Sequence, residues 1–324
     1  MSTAALPATW VVGAGGLLGT ALTSALQGRG GTFPQPDPVA WATDRADGAL
    51  STALARFAEV VRRGNRPWRI AWCAGAGVTG TAENVLAGEV RTFSRFLDAV
   101  AAQRLPTPGR LFLASSAGAL YAGSGRGGPF DERDALAPIS AYGTAKVACE
   151  EAAAAFARDT GHRVLIGRIA NLYGPNQDLG KAQGLISHLC RGFLTRQPTS
   201  IFVPLDTIRD YLYVDDCAAM IADMLLTGAI PAAAGGPVVR KVLASQQGTT
   251  IGSLLALCRH VFKRPPQLVL GSSATARFQV RDLRLRSVVW PEIDRRVLTP
   301  LPAGLAATAA GMLRATQRGT SPAR

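Results

Sequence analysis

Trp10-Val11-Val12 is a short apolar run that passes directly into Gly13-Ala14-Gly15-Gly16-Leu17-Leu18-Gly19, and an amphipathic stretch follows from about Leu17 to Gln27. No other stretch restricts the fold as much. A buried strand that ends in a glycine turn and enters a helix at once makes a cradle for phosphate. The glycines let the backbone approach the ligand, and the helix N-terminus presents unpaired N–H groups with a partial positive charge. As the first element of the chain, this unit predicts a fold that begins by binding a dinucleotide.

The rest of the first half alternates strand and helix. Ala53–Arg63 has helical spacing, Arg69-Ile70-Ala71-Trp72-Cys73 reads as a buried strand, and Glu83–Gln103 reads as a long helix. Leu111-Phe112-Leu113-Ala114 and Arg163–Ile169 read as further strands. This alternation predicts an α/β fold with a doubly wound parallel sheet of Rossmann type. The second strand of that pattern falls in Gly30–Pro38, where three prolines leave room for a short or edge strand at most. Its acidic residue, expected about 20 residues beyond the glycines to hold the adenosine ribose, would be Asp37 or Asp44. Beyond Gly174 the pattern loosens. The expected division is a dinucleotide-binding domain over 1–173, completed by about 205–230. A smaller C-terminal substrate-binding lobe takes 174–204 and 231–312, and a flexible tail takes 313–324.

Tyr142-Gly143-Thr144-Ala145-Lys146 precedes an alanine-rich segment and reads as the opening turn of a long helix. A spacing of four puts the phenol and the ammonium on one helix face. A fixed cation near a phenol favours the phenolate, which suits general acid/base chemistry near neutral pH. The chain uses four lysines against 31 arginines, so a lysine at this point is notable. Two hydroxyls, Ser115 and Ser116, follow the strand at 111–114, at the strand end where parallel sheets bind ligands.

Composition narrows the classes. With 324 residues, 48% hydrophobic and 18% charged, the chain can bury a large core. No apolar run reaches the roughly 18 residues of a membrane span, and Met1–Pro7 lacks the pattern of a signal peptide. Five scattered cysteines without a Cys-x-x-Cys pair predict reduced thiols, a cytoplasmic location and no metal site. The net charge of +13 comes from dispersed arginines without a basic block, so a small anionic ligand is expected and a nucleic-acid partner is not.

Five motifs in order, Gly13-x-x-Gly16-x-x-Gly19, Ser115-Ser116, Tyr142-x-x-x-Lys146, Arg168-Ile169-Ala170-Asn171-Leu172-Tyr173-Gly174-Pro175 and Arg209-Asp210-Tyr211-Leu212-Tyr213-Val214-Asp215-Asp216, resemble the extended short-chain dehydrogenase/reductase family. The resemblance is to its NAD-dependent nucleotide-sugar epimerase/dehydratase branch, and it runs from Val11 to about Ala310. It implies Tyr142 as acid/base and Lys146 as holder of the nicotinamide ribose. Ser116, with Ser115 as second choice, would bond the reacting sugar oxygen. Asn171 and Arg209 would hold the substrate diphosphate, joined by Arg277 or Arg281. Gly13, Gly16, Leu17, Leu18, Gly19, Ala74, Gly75, Ser115, Tyr142, Lys146 and Ile169 would surround NAD, with NADP the alternative. The implied partners are a nucleotide sugar and a second copy of the chain in a homodimer.

The sequence departs from the family at several points. Ala117 stands where many members carry the catalytic serine or threonine, and Ala117-Gly118 replaces the acidic pair of the 4,6-dehydratases. No cysteine stands in this segment, unlike the reductases that also epimerise neighbouring carbons. Glu89 stands where an asparagine is usual. The expected activity is a nucleotide-sugar 4-epimerase with bound NAD. A keto-sugar reductase using NADPH and a catalytically silent binding protein are the alternatives.

Overall fold

The computed structural model describes residues 6–34, 39–41, 45–106, 108–180, 183–228, 230–231, 236–271 and 280–318. Ala8–Val12 (β1) enters Leu17–Gln27 (α1), then Arg45–Arg63 (α2), Trp68–Trp72 (β2) and Glu83–Ala102 (α3). Arg110–Ser116 (β3) runs into the single turn Ala117–Tyr121 (α4), followed by Ala141–Thr160 (α5), Arg163–Ile169 (β4) and Asn171–Tyr173 (β5). Leu185–Thr195 (α6), Thr199–Ile201 (β6), Ile208–Tyr213 (β7), Val214–Leu226 (α7) and Val238–Leu243 (β8) come next. Gly248–Thr250 (β9), Ile251–Phe262 (α8), Leu268–Leu270 (β10), Asp282–Leu283 (β11) and Leu301–Gln317 (α9) complete the chain.

The central sheet has the order β1-β2-β3-β4-β8, and every pairing in it is parallel. Parallel neighbours need crossover connections, so helices must cover both faces. On one face Leu54 and Phe57 of α2, Phe93 and Phe96 of α3 and Phe156 of α5 pack on Trp10, Ile70 and Leu111. On the other face Leu22 and Leu26 of α1 and Ile221 and Met224 of α7 pack on Val11, Phe112 and Leu165. Each strand is therefore apolar on both sides, which is why Trp10–Val12 and Leu111–Leu113 show no polar alternation.

Among the described residues no strand forms between β1 and α2. Phe33 N donates to Thr9 O at 2.6 Å, a single rung on the outer edge of β1. Pro34 has no N–H to continue the ladder. Phe33 instead packs edge-on against Trp10 and Phe57. Asp37 and Asp44 lie outside the described residues.

Three boundaries differ from the sequence reading. Helix α2 begins at Arg45, ahead of Ala53, because Ala46 and Leu50 extend the buried stripe of Leu54 and Phe57. Val238–Leu243, assigned to the smaller lobe, is the fifth strand of the main sheet, paired with Val164–Ile169. The chain at 313–317 is not a loose tail, since α9 continues to Gln317 with Leu305, Ala309 and Met312 buried along one side.

The C-terminal half forms a second layer over the carboxyl ends of the strands. β5, β7 and β11 pair in parallel, β9 pairs antiparallel with β7, and β6 pairs with β10. Helices α6, α8 and α9 close this lobe around Tyr173, Leu189, Leu254 and Leu305. Two buried arginines support the opposite end of the sheet. Arg69 donates to Leu225 O at 2.7 Å, and Arg110 donates to Leu225 O and Gly228 O, each at 2.9 Å. They satisfy the carbonyls that every helix leaves unpaired at its C-terminus. The two strand ends thereby fix where α7 stops.

Candidate active site

The glycine turn is shaped by close backbone approach. Gly13 has φ +87°, and a Cβ there would stand 2.7 Å from Ala74 N; a Cβ on Gly19 would stand 2.0 Å from Gly13 O. Gly13 and Gly19 therefore bring β1, β2 and α1 together, while Gly16, Leu17 and Leu18 line the cavity above them. Gly16 is the N-cap of α1 and supplies no side-chain cap. The first-turn amides are left for an anion, so these residues fit the diphosphate of a dinucleotide.

Helix α5 begins with Ser140, whose Oγ accepts from Gly143 N at 3.1 Å, and ends at Gly161 in the left-handed conformation. This cap places Tyr142 and Lys146 on the first two turns, with Lys146 Nζ 5.6 Å from the centre of the Tyr142 ring. Lys146 Nζ also donates to Ala114 O at 3.3 Å, which ties α5 to the end of β3. Burial opposes the Lys146 charge, but its acidic neighbours, Tyr142 foremost, outweigh it and hold the ammonium above its ordinary value. Lys146 is therefore a fixed cation at neutral pH.

The two serines do different things. Ser115 Oγ donates to Glu150 Oε1 at 2.7 Å, and Glu150 in turn pairs with Arg168 at 2.8 Å, both ions almost fully buried. Arg168 also donates to Tyr121 Oη at 2.9 Å, and Tyr121 Oη donates to Asp131 O. Burial pushes the Tyr121 phenol up to about 12, so this second tyrosine is structural. Ser116 instead caps α4, accepting from Ala119 N at a long 3.4 Å, and lines the cavity. With Ser115 held by Glu150, Ser116 is the hydroxyl left to meet a ligand.

A single cavity of about 1040 Å³ runs from the glycine turn past Tyr142 and Lys146 into the second lobe. That is at the upper end of the roughly 300–1,000 Å³ typical of small-molecule sites. Ala74, Gly75, Ser115, Ile169, Asn171 and Arg209 line it together with the residues above. Arg209 is buried on β7 and donates to Ile208 O at 2.8 Å and Val280 O at 2.7 Å. Burial lowers its pKa, with Tyr211 and Asp282 working against that shift. Arg277 lies outside the described residues. Arg281, the other candidate, is ion-paired with Asp206 on the surface and does not line the cavity.

The cavity also has walls that motif reading passed over. Thr79 and Thr81 close it from the β2–α3 loop, and His188, Arg191 and Phe202 line its far end. His188 and Arg191 stand one turn apart on α6, with Arg191 Nη2 and His188 Nδ1 3.1 Å apart. A His-x-x-Arg pair at helical spacing was the available signal. Asp178 is the only carboxylate among the described residues lining the cavity. Among the described residues no group of three or more His, Cys, Asp or Glu could hold a metal ion, and no helix is long and apolar enough to cross a membrane.

Asp210, beside Arg209, faces away from the cavity. Its Oδ1 accepts from Ser245 N at 2.8 Å and Ser245 Oγ at 2.9 Å, while its buried Oδ2 has no hydrogen-bond partner among the described residues. Burial raises its pKa to about 6, against the bonds from Ser245 and the following amides. A carboxyl with a native pKa above its unfolded value holds its proton more tightly when folded. Its contribution to stability therefore falls as pH rises from about 4 to about 6. Asp210→Asn removes that dependence. The variant's stability relative to wild type is expected to increase as pH is raised from about 4.5 to about 7.5, read from urea midpoints. A constant difference would mean that Asp210 ionises like an exposed carboxylate.

Fold and site define an α/β dinucleotide-binding protein whose tyrosine and lysine open into one large cavity. The model of the NAD-dependent epimerase/dehydratase family matches residues 9–232, and the chain belongs to that family, a branch of the extended short-chain dehydrogenases/reductases. Among curated relatives, it is 33% identical over 107 residues to the dTDP-4-dehydro-6-deoxyglucose reductase of Escherichia coli, covering 33% of each chain. It is 36% identical over 109 residues to a putative UDP-glucose 4-epimerase of Methanocaldococcus jannaschii, covering 34% of this chain and 35% of that one. These matches span about a third of each relative's length. The solved UDP-glucose 4-epimerase of Thermotoga maritima with UDP-glucose superposes with a TM-score of 0.74 at 20% identity, covering 95% of this chain and 99% of that one. It shares the fold.

Proposed function

We propose that this protein is a nucleotide-sugar 4-epimerase. The observation that carries the reading is the meeting of Ser116, Tyr142 and Lys146 with Asn171 and Arg209 in one cavity, where Ala117-Gly118 follows Ser116 in place of an acidic pair. Sugar dehydration needs an acid and a base at adjacent carbons, and Ala117-Gly118 supplies neither. NAD, the cofactor of the family, would lie along Gly16–Leu18, Ala74, Gly75 and Lys146, and supplies reversible hydride transfer when bound.

The side chains divide the remaining work. Arg209 and Asn171 hold the substrate diphosphate, with the guanidinium giving charge-assisted bonds. Ser116 hydrogen-bonds the sugar oxygen, and Tyr142 takes its proton as the alcohol becomes a ketone. Lys146 keeps a positive charge beside the phenol throughout. An anchor on the diphosphate leaves the hexose able to turn over and present its other face, after which Tyr142 returns the proton. The reading includes a reducing cytoplasm, supported by five free cysteines of which four are buried, and the homodimer implied by the family resemblance.

The test is a panel of UDP- and dTDP-hexoses given NAD in catalytic amount. A C4 epimer from at least one hexose, with no net NADH, is expected. The reductase reading is favoured by the match to the Escherichia coli reductase. Stoichiometric NADPH consumption with a 4-keto sugar, and no epimer from any hexose, would replace the epimerase by that reading.

A further inference from the structure

Glu89 sits on α3, facing the loop that leaves β2. Its Oε1 accepts from Ala76 N and from Gly77 N, each at 2.8 Å. This double bond to backbone fixes how the carboxylate is turned. The other oxygen, Oε2, stands 3.2 Å from where a Cβ on Gly77 would lie and 3.7 Å from the corresponding point on Gly75. Lys146 Nζ stands 3.6 Å from that same point on Gly75. Gly75 has φ +149° and no side chain, so the carboxylate and the ammonium share the space that it leaves open. Glu89 is among the groups that hold the Lys146 charge in place.

Apart from Tyr142, to which the proposed reaction assigns a proton that comes and goes, the other groups around Lys146 do not balance its charge. Glu150 is already neutralised by Arg168, which binds it through Nε and Nη2. The thiols of Cys73 and Cys149 are pushed up by burial, the former to about 12, and stay uncharged. Of the two carboxylates that act on Lys146, Glu89 is therefore the one with no ion pair of its own among the described residues. A nicotinamide ring is cationic when oxidised and neutral when reduced, so an uncompensated ammonium nearby would favour the reduced form.

We propose that Glu89 sets the balance between oxidised and reduced nicotinamide in this cavity, by holding a negative charge against Lys146 across Gly75. The proposal rests on the reading that a nicotinamide cofactor fills the cavity. A neutral amide of the same length at this position would keep an acceptor for both loop amides and lose the charge. The glutamate thus adds an electrostatic task to a positioning one, and it suits a site that must rest with its cofactor oxidised.

Calorimetry with NAD⁺ and NADH on the purified chain separates the two tasks. Glu89→Gln keeps an oxygen for the Ala76 and Gly77 amides and removes the charge. The ratio Kd(NAD⁺)/Kd(NADH) is expected to rise about tenfold, the size of one charge acting over several ångströms in a partly solvated site. Lys146→Met removes the opposing charge and is expected to move the ratio the other way, so the proposal remains testable if one variant folds poorly. An unchanged ratio in Glu89→Gln, with both forms bound normally or both weakened alike, overturns the proposal and leaves Glu89 a loop clamp. Failure of the wild-type chain to bind either form overturns the cofactor reading, and this proposal with it.

Discussion

Tyr142→Phe is expected to lower turnover by at least about 10²-fold and up to about 10⁴-fold, the range of a positioned general acid/base. The substitution keeps the ring that Lys146 faces at 5.6 Å and removes only the hydroxyl to which proton transfer is assigned. Tyr121 cannot substitute for it, because its hydroxyl is committed to Asp131 O and Arg168. NAD affinity is expected to stay close to wild type, since the glycine turn and Lys146 are untouched. Rates of epimer formation and calorimetry with NAD check the two halves. Wild-type turnover in the variant would sink the assignment of Tyr142.

Arg168→Met is expected to cost about 3–5 kcal/mol of stability, the cost of stranding one member of a buried ion pair. Glu150 would keep the Ser115 hydroxyl but lose the bidentate guanidinium, inside a core where both side chains are under 5% exposed. Arg240 lies 3.7 Å from Glu150, with 40% of its side chain exposed and no closer contact, so it is a weak replacement. The double variant Arg168→Met/Glu150→Gln removes both charges and keeps an acceptor for Ser115. It is expected to recover at least half of the loss. Urea denaturation of wild type, single and double variants measures this directly. A single variant within about 0.5 kcal/mol of wild type, as for an ordinary surface change, would mean that losing the guanidinium does not strand a buried Glu150 charge.

Much of the first half of the fold was legible because its signals are local. The run Trp10–Gly19 specifies strand, turn and helix by the conformations its residues allow, and α1 spans Leu17–Gln27 as expected. The long helix opening near Tyr142 was legible for the same reason, with Ser140 as its N-cap. The failures are at places where a distant partner decides. Nothing within Val238–Leu243 tells that it pairs with Val164–Ile169, because a short apolar strand suits either lobe. The proline-bearing segment after α1 signalled a poor strand, but that Phe33 would instead fill the gap between Trp10 and Phe57 depended on the packing of three aromatic rings.

The candidate site divides along the same line. Sequence alone determined which side chains can do proton transfer and phosphate binding, since the chemistry of a phenol beside an ammonium, or of a guanidinium, belongs to the residue type and its spacing. Tertiary structure decided which of those groups are available. Ser115 and Ser116 both line the cavity, but Glu150, 35 residues away in sequence from Ser115, engages the Ser115 hydroxyl and leaves that of Ser116 to meet a ligand. Arg281 carries the same guanidinium as Arg209, but Asp206 holds it at the surface while Arg209 is buried against the cavity. Glu89 looked like an interruption of a pattern until its bonds to Ala76 and Gly77 placed it beside Lys146. Reactivity follows from local covalent chemistry, whereas availability and charge balance depend on what the folded chain brings within a few ångströms.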